Sequence, residues 1–113
     1  MPFKIGPDRE RQQRLEKELE RMVALFPRMG VKKDILFGSL ARGDVAEASD
    51  IDLILVRDTP KRFVDRLEEA LVDLDPHVGL DVLVYTPSEF TELLETRPFV
   101  QEAVREGRVI YEA

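Results

Sequence analysis

The sequence predicts one layered domain of the α/β or α+β class with about four strands. Two observations predict it. Short apolar runs alternate with longer amphipathic segments, and glycine or proline separates most of them. The 113 residues suit one domain with a modest core. We therefore expect a single domain over residues 1–113.

The helices are predicted from apolar residues at helical spacing and from prolines and glycines at the segment ends. The first helix runs from Asp8 to Arg28. Pro60, Pro87 and Pro98 each suit a first helical turn, where the missing N–H needs no partner. The predicted helical segments are 8–28, a short turn at 40–44, 60–75, 87–94 and 98–105.

Four runs of β-branched and aliphatic residues predict the strands. Glycine and serine break the first run, and a Pro-His-Val-Gly turn precedes the third. The last run is short and is predicted to be an edge strand. The predicted strands are 34–37, 50–56, 80–85 and 109–111.

Composition excludes several classes of function. The chain has no cysteine, so disulfides, thiolate catalysis and cysteine-based zinc sites are excluded, and its one histidine, His77, is predicted to be an exposed turn residue. A net charge of −6 argues against direct binding to nucleic acid. No apolar stretch is long enough to span a membrane, and the first residues lack the apolar core of a signal peptide. We therefore expect a cytoplasmic protein.

The most informative feature is a pair of acids, Asp50 and Asp52, at the head of the second predicted strand. Residues i and i+2 of a strand point to the same face, so two carboxylates would project side by side. Such charges repel one another, and a cation between them offsets the repulsion. A ligand set made only of oxygen atoms suits Mg²⁺. The alternative is a solvated loop end, in which Asp50 caps the turn and Asp52 pairs with an arginine.

Asp81 extends this pattern, because it also lies in an apolar strand beside a glycine. If its strand pairs with the second one, the three carboxylates can share a face, which favours a two-metal phosphoryl-transfer site. The alternative is an ion pair at the sheet edge. A second motif, Gly38-Ser39, follows the first strand and could hold a phosphate through backbone N–H groups and the serine hydroxyl. Its alternative is an ordinary turn with serine as the N-cap.

The spacing of these residues resembles the minimal nucleotidyltransferases of the DNA polymerase beta superfamily. Ten residues separate Ser39 from Asp50. The resemblance covers nearly the whole chain and includes the final short strand. It is carried by Gly38-Ser39-Leu40-Ala41-Arg42-Gly43, Ser49-Asp50-Ile51-Asp52-Leu53, Asp81 and Gly107-Arg108-Val109-Ile110-Tyr111.

The resemblance implies a nucleotidyltransferase fold of the α/β (α+β) class, a small mixed β-sheet of about four strands with helices packed mainly on one face. It also implies transfer of a nucleoside monophosphate, AMP from ATP, to a hydroxyl group with two Mg²⁺ ions. It implies that Gly38 and Ser39 contact the triphosphate and that Asp50, Asp52 and Asp81 hold metal and form the catalytic triad. It further implies an antitoxin that modifies a small helical HEPN-type toxin. A binding antitoxin that only masks its partner, and a small-molecule nucleotidyltransferase with a helical partner subunit, are the alternatives.

Two arginine assignments complete the sequence-based picture. Arg42 could neutralise phosphate or could pair with a nearby aspartate to fix its loop, and the sequence favours neither. The basic residues of the first helix alternate with acids and are predicted to form a solvated face. They are Arg9, Arg11, Arg14, Lys17 and Arg21.

Overall fold

The structure of the protein is a computed structural model that describes residues 8–113. Its elements follow the predicted alternation of helices and strands. They are α1 (Arg9–Val23), α2 (Phe26–Met29), β1 (Lys33–Phe37), α3 (Gly38–Arg42), β2 (Ile51–Val56), α4 (Phe63–Leu74), β3 (Leu80–Tyr85), α5 (Pro87–Thr96), α6 (Pro98–Glu106) and β4 (Arg108–Glu112).

The four strands form one mixed sheet in the order β3-β2-β1-β4. β1 pairs antiparallel with both β2 and β4, whereas β2 and β3 are parallel and are connected through α4. The predicted mixed α/β fold is thereby confirmed, and β4 is an edge strand as expected. β3 forms the opposite edge, so β2, the strand that contains Asp52, lies inside the sheet.

Helices cover the two faces of the sheet unequally. The larger buried cluster lies between one face and helices α1, α2 and α4, and it contains Leu15, Phe26, Leu53 and Leu74. The smaller cluster lies on the other face, where Phe90 of α5 and Val100 of α6 pack on Ile54. The prediction of helices mainly on one face matches the larger cluster, and the two C-terminal helices add a partial second layer.

The long first helix of the sequence-based prediction is interrupted. α1 ends at Val23, and the four-residue α2 follows after a short break. Pro27 lies in the first turn of α2, where it lacks the N–H that a continuous helix would use. Gly30 then ends α2 in the left-handed region with φ 72°.

A buried ion pair fastens α1 to the turn before β3. Glu18 is almost fully buried and accepts hydrogen bonds from the guanidinium of Arg21 and from the backbone N–H of His77. The Arg21 guanidinium also donates to the carbonyl of Leu74, at 2.9 Å, and to that of Asp75, at 3.0 Å. These bonds lower the pKa of Glu18 to about 2, against the opposing effect of burial. Arg21 is therefore structural, and the prediction of a solvated basic face was wrong for it.

A second clamp joins α4 to α5. Arg66 is buried and donates to both carboxylate oxygens of Glu89, at 2.7 and 3.3 Å. Glu89 also closes the capping box of α5 by accepting from the N–H of Thr86. One carboxylate therefore caps α5 and holds α4 beside β3. Within residues 8–113, no helix has the length and apolar character needed to cross a bilayer.

Candidate active site

Asp52 and Asp81 lie side by side on the parallel strands β2 and β3. They are paired in the register of the two strands. Because side chains alternate between the two faces of a sheet, Asp52 and Asp81 share a face with Ile54 and Leu83. This is the face that α5 and α6 cover only in part. Asp52 is half-buried and Asp81 is exposed, so the pair lies at the open border of the smaller hydrophobic cluster.

The carboxyl group of Asp52 has an unusual proton affinity. Burial raises its pKa to about 6, and a hydrogen bond with Asp81 and the like charges of Asp81 and Asp50 add to this effect. The positive charge of Arg42 acts in the opposite direction. Asp52 therefore lies close enough to both other carboxylates to be affected by their charge, and a cation placed beside it would relieve the repulsion.

Asp50 precedes β2 and is held from two sides. The Arg11 guanidinium approaches Asp50 Oδ1 at 3.6 Å and donates to the carbonyl of Ser49 at 2.9 and 3.0 Å. On the other side the carboxylate packs on Gly79, where an added Cβ would lie 2.1 Å from Asp50 Oδ1. The glycine of the turn before β3 thus provides the space that the Asp50 side chain occupies.

Gly38 forms a comparable close contact with Asp52. An added Cβ would lie 2.1 Å from Asp52 Oδ2, and the φ of 77° also favours glycine. The helix α3 begins at Gly38, and no side chain caps its first turn. Ser39 lies within α3 and its hydroxyl bonds to no residue among 8–113, so the alternative of a serine N-cap was wrong. Uncapped N–H groups and a free hydroxyl therefore lie next to Asp52.

Arg42 lies at the exposed end of α3. Its guanidinium is 3.3 Å from Asp44 Oδ2 and 3.6 Å from Glu106 Oε2. Both partners are exposed, and such contacts contribute little to stability. The contact with Asp44 matches the loop-fixing alternative, while its effect on the pKa of Asp52 shows that its charge also reaches the site.

A cleft of about 480 Å³ opens beside the aspartate pair. It extends around the free edge of β3, so its walls come from both faces of the sheet. Phe99 of α6 forms one wall, and α4 forms the other. The ring of Phe99 contacts that of Phe37 edge-on, with 5.7 Å between the ring centroids. The lining residues include Asp52, Asp81, Leu67, Leu71 and Leu80. The cleft combines apolar walls with two carboxylates at one end, as ligand sites commonly do.

The donor set fits Mg²⁺ through two carboxylates. Among residues 8–113 no three acidic or histidine side chains converge on one point closely enough to enclose a metal ion. Mg²⁺ usually takes one or two protein carboxylates and fills its remaining positions with water and substrate phosphates. Asp52 and Asp81 match that requirement, while Asp50 is engaged with Arg11. The catalytic and metal-binding roles of the three aspartates stay predictions.

Arg11 is the site residue that the sequence analysis missed, because it was assigned to a solvated face. Its side chain is only 19% exposed. A signal was available in the spacing: Arg11, Leu15, Glu18 and Met22 follow one another at intervals of four, three and four residues along the buried stripe of α1. Two charged residues on an apolar stripe indicate buried partners.

Comparison with known proteins gives consistent results. A sequence profile described as the nucleotidyltransferase domain matches residues 13–111. Two candidate protein adenylyltransferases of Methanocaldococcus jannaschii are similar to this chain. One is 38% identical over 72% of this chain and 79% of its own length, and the other is 32% identical over 74% and 88%.

Solved structures share the fold. A candidate nucleotidyltransferase from Sulfolobus solfataricus superposes with a TM-score of 0.66 at 21% identity, over 91% of this chain and 85% of that one. A chain from a mutant of the toxin–antitoxin MntA-HpeT superposes with a TM-score of 0.50 at 20% identity, over 84% and 72%. At these identities the likeness establishes the architecture.

Proposed function

We start from the premise that this chain belongs to the nucleotidyltransferase domain family, and we propose that it transfers AMP from ATP to a hydroxyl group of a partner protein. The observation that carries the proposal is the pairing of Asp52 with Asp81 beside the uncapped start of α3. The two similar proteins of Methanocaldococcus jannaschii, both described as candidate protein adenylyltransferases, support AMP as the group and protein as the acceptor.

The residues have distinct roles in this proposal. The N–H groups at Gly38 and the Ser39 hydroxyl would bind the triphosphate, and Asp52 and Asp81, with Asp50 beside them, would hold Mg²⁺. When bound, Mg²⁺ neutralises charge on the triphosphate and lowers the pKa of the acceptor hydroxyl. The hydroxyl oxygen forms a bond to the α-phosphorus, the bond to the β-phosphate oxygen breaks, and pyrophosphate leaves. The exposed carboxylate of Asp81 would take the hydroxyl proton.

We further propose that the acceptor is a small helical HEPN-type toxin and that this chain is its antitoxin. The motif spacing resembles minimal nucleotidyltransferases that work with such partners, and the fold is shared with a chain of a toxin–antitoxin pair. Two other functions would use the same site differently. A binding antitoxin would mask the toxin without chemistry, and a small-molecule enzyme would use a helical partner to hold its acceptor.

The test is transfer of labelled AMP. The protein is incubated with Mg²⁺, ATP labelled at the α-phosphate and a HEPN-type protein as the acceptor, and the added nucleotide is found by mass spectrometry. We expect Asp52→Asn and Asp81→Asn to lower the rate by on the order of 10²-fold or more. Asp58→Asn is the matched control, because Asp58 is an exposed partner of Lys32 beyond the other end of β2.

Each alternative predicts a different result. If wild type and the aspartate variants inhibit the toxin equally without modifying it, the protein acts by masking. If only small hydroxyl compounds are modified, the acceptor is not a protein. Calorimetry provides an independent check, because ATP should bind with Mg²⁺ and lose most of its affinity in EDTA. Ser39→Ala should weaken binding modestly, by about 1–3 kcal/mol for a bond to a charged group.

A further inference from the structure

The outer side of α4 carries an apolar strip that nothing within the described residues covers. Val64 and Val72 are 71% and 72% exposed, which is high for valines on a helix whose other face is in the core. Together with the half-buried Leu67 and Leu71 they line a hollow of about 390 Å³. We call these four residues the α4 patch. Their spacing, i, i+3, i+7 and i+8, is that of a helix–helix contact seam.

Acidic side chains border the α4 patch. Glu68 lines the same hollow, and Asp73 lies on the adjoining surface with Asp65, Glu69 and one basic residue, Lys61. Asp65 and Glu69 are paired with basic residues. Glu68 and Asp73, however, make no ion pair within residues 8–113. The border therefore keeps unneutralised negative charge, which favours a partner that carries positive charge beside an apolar stripe.

The α4 patch is continuous with the candidate active site. Leu67 and Leu71 line both the hollow on α4 and the cleft that contains Asp52 and Asp81. A molecule seated on the patch therefore lies at the entrance to the cleft. This continuity connects the surface with the transfer reaction.

The structure argues against two other occupants. A strand added to the β3 edge would need its outward backbone groups, but Arg66 donates to the carbonyl of Val84 at 3.4 Å and partly closes that edge. A second copy of this chain would bring two acidic borders together, and the chain carries a net charge of −6. A basic amphipathic helix meets neither obstacle.

We propose that the acceptor protein docks on the α4 patch through an amphipathic helix whose apolar stripe is bordered by lysine or arginine, and that this docking presents its hydroxyl group to the cleft. This inference rests on the proposed transfer to a protein. It adds the surface that selects the acceptor, separate from the residues that bind ATP and carry out the chemistry.

Binding is tested first, without ATP. The probe is a synthetic 18-residue helical peptide with a leucine stripe bordered by lysines, and a second peptide has glutamates in their place. We expect the lysine peptide to bind and the double variant Val64→Asp/Val72→Asp to lose at least tenfold in affinity by fluorescence anisotropy. Val109→Asp is the matched control, since Val109 is 49% exposed on β4 at the opposite sheet edge.

Charge reversal tests the border in a second way. Glu68→Lys changes an exposed side chain, so it keeps the fold, and it should weaken the lysine peptide while strengthening the glutamate peptide. Equal affinity of the two peptides for wild type, or full affinity of the double variant, would overturn the proposal. So would self-association of wild type that the double variant abolishes, because a second copy would then be the occupant.

The transfer reaction separates this inference from the proposed function. With the acceptor protein as substrate, the double variant should raise the KM for the acceptor at least tenfold while leaving the KM for ATP and the rate at saturation unchanged. If the double variant transfers AMP as wild type does while Asp52→Asn does not, the docking surface is ruled out and the enzymatic function is supported. If wild type transfers nothing, the enzymatic function is ruled out, and the peptide affinities still test the docking surface.

Discussion

At the scale of single residues, the site is governed by the cost of placing like charges together. Asp52 is half-buried beside Asp81, and both effects oppose its ionisation. Stability then depends on pH through this group. A pKa of about 6 in the folded chain lies above the ordinary value of about 3.9 in an unfolded chain, so stability falls as pH rises between these values.

Asp52→Asn should therefore leave the metal-free protein as stable as wild type at pH 7, or more stable. The amide removes one of three crowded negative charges. Thermal melts in EDTA at pH 4 and pH 7 measure the effect, with Asp58→Asn as the control for an exposed aspartate. Asp81→Asn should also lower the pKa of Asp52 in a carbon-13 titration of its carboxyl group. A large drop in the melting temperature of Asp52→Asn would instead identify Asp52 as a structural partner.

At the scale of elements, the turn from β1 into α3 fixes the distance between the first N–H groups of α3 and Asp52. Gly38→Ala should reduce ATP binding and transfer severely, because the new methyl group would occupy the position of Asp52 Oδ2. Gly30→Ala is the matched control: its φ of 72° resembles the 77° of Gly38, and its Cβ position is open. The left-handed backbone lowers the free energy of unfolding of both variants by about 1 kcal/mol.

Activity should separate the two glycine variants even if their melting temperatures fall equally. Calorimetric titration with ATP and Mg²⁺ measures the difference. Wild-type affinity in Gly38→Ala would mean that the close approach of α3 to Asp52 has no part in binding. Reduced affinity in Gly30→Ala would point instead to a general loss of folded protein.

The sequence predicted these elements well where a local signal fixed them. Runs of β-branched and aliphatic residues identified all four strands, and β3 was predicted to the residue at Leu80–Tyr85. The boundary of α4 was predicted less well. α4 starts at Phe63 with Arg62 as its N-cap, so Pro60 lies before the helix and not in its first turn as predicted. Local patterns also could not reveal that Arg11 reaches Ser49, since that contact joins residues 38 positions apart.

The sequence predicted the part of the candidate site that depends on local sequence. Strand alternation places Asp50 and Asp52 on the same face, and this alternation needs no knowledge of the fold. The pairing of Asp52 with Asp81 depends on the register of β2 with β3, which the sequence could only suggest. The supporting contacts of Gly38 and Gly79 depend on atoms brought together by the fold and could be seen only in the structure.

At the scale of the whole molecule, a second acid, which lies in the core, also makes stability depend on pH. Asp34 lies in the inner strand β1 between Leu55 and Tyr111, is fully buried, and neither carboxyl oxygen bonds to a described residue. Burial raises its pKa to about 8. The folded chain therefore holds this proton where the unfolded chain releases it, so stability declines from about pH 4 to about pH 8.

Asp34→Asn should flatten that decline. Relative to wild type, we expect a gain on the order of a few kcal/mol between pH 4 and pH 8, measured by urea unfolding at both values. Asp73→Asn, an exposed change of the same type on α4, should leave the slope as it is. An unchanged slope in Asp34→Asn would show that this carboxyl is ionised in the folded state.

The strand order has a consequence for the time course of biosynthesis. β1 lies between β2 and β4, yet β4 is made about seventy residues after β1. A growing chain can already join β1 to β2 and bring Gly38 towards Asp52, while the second edge of β1 stays exposed to other nascent strands. The last strand therefore covers the second edge of β1, and a polypeptide interrupted before it carries the contact between Gly38 and Asp52 on an unprotected sheet.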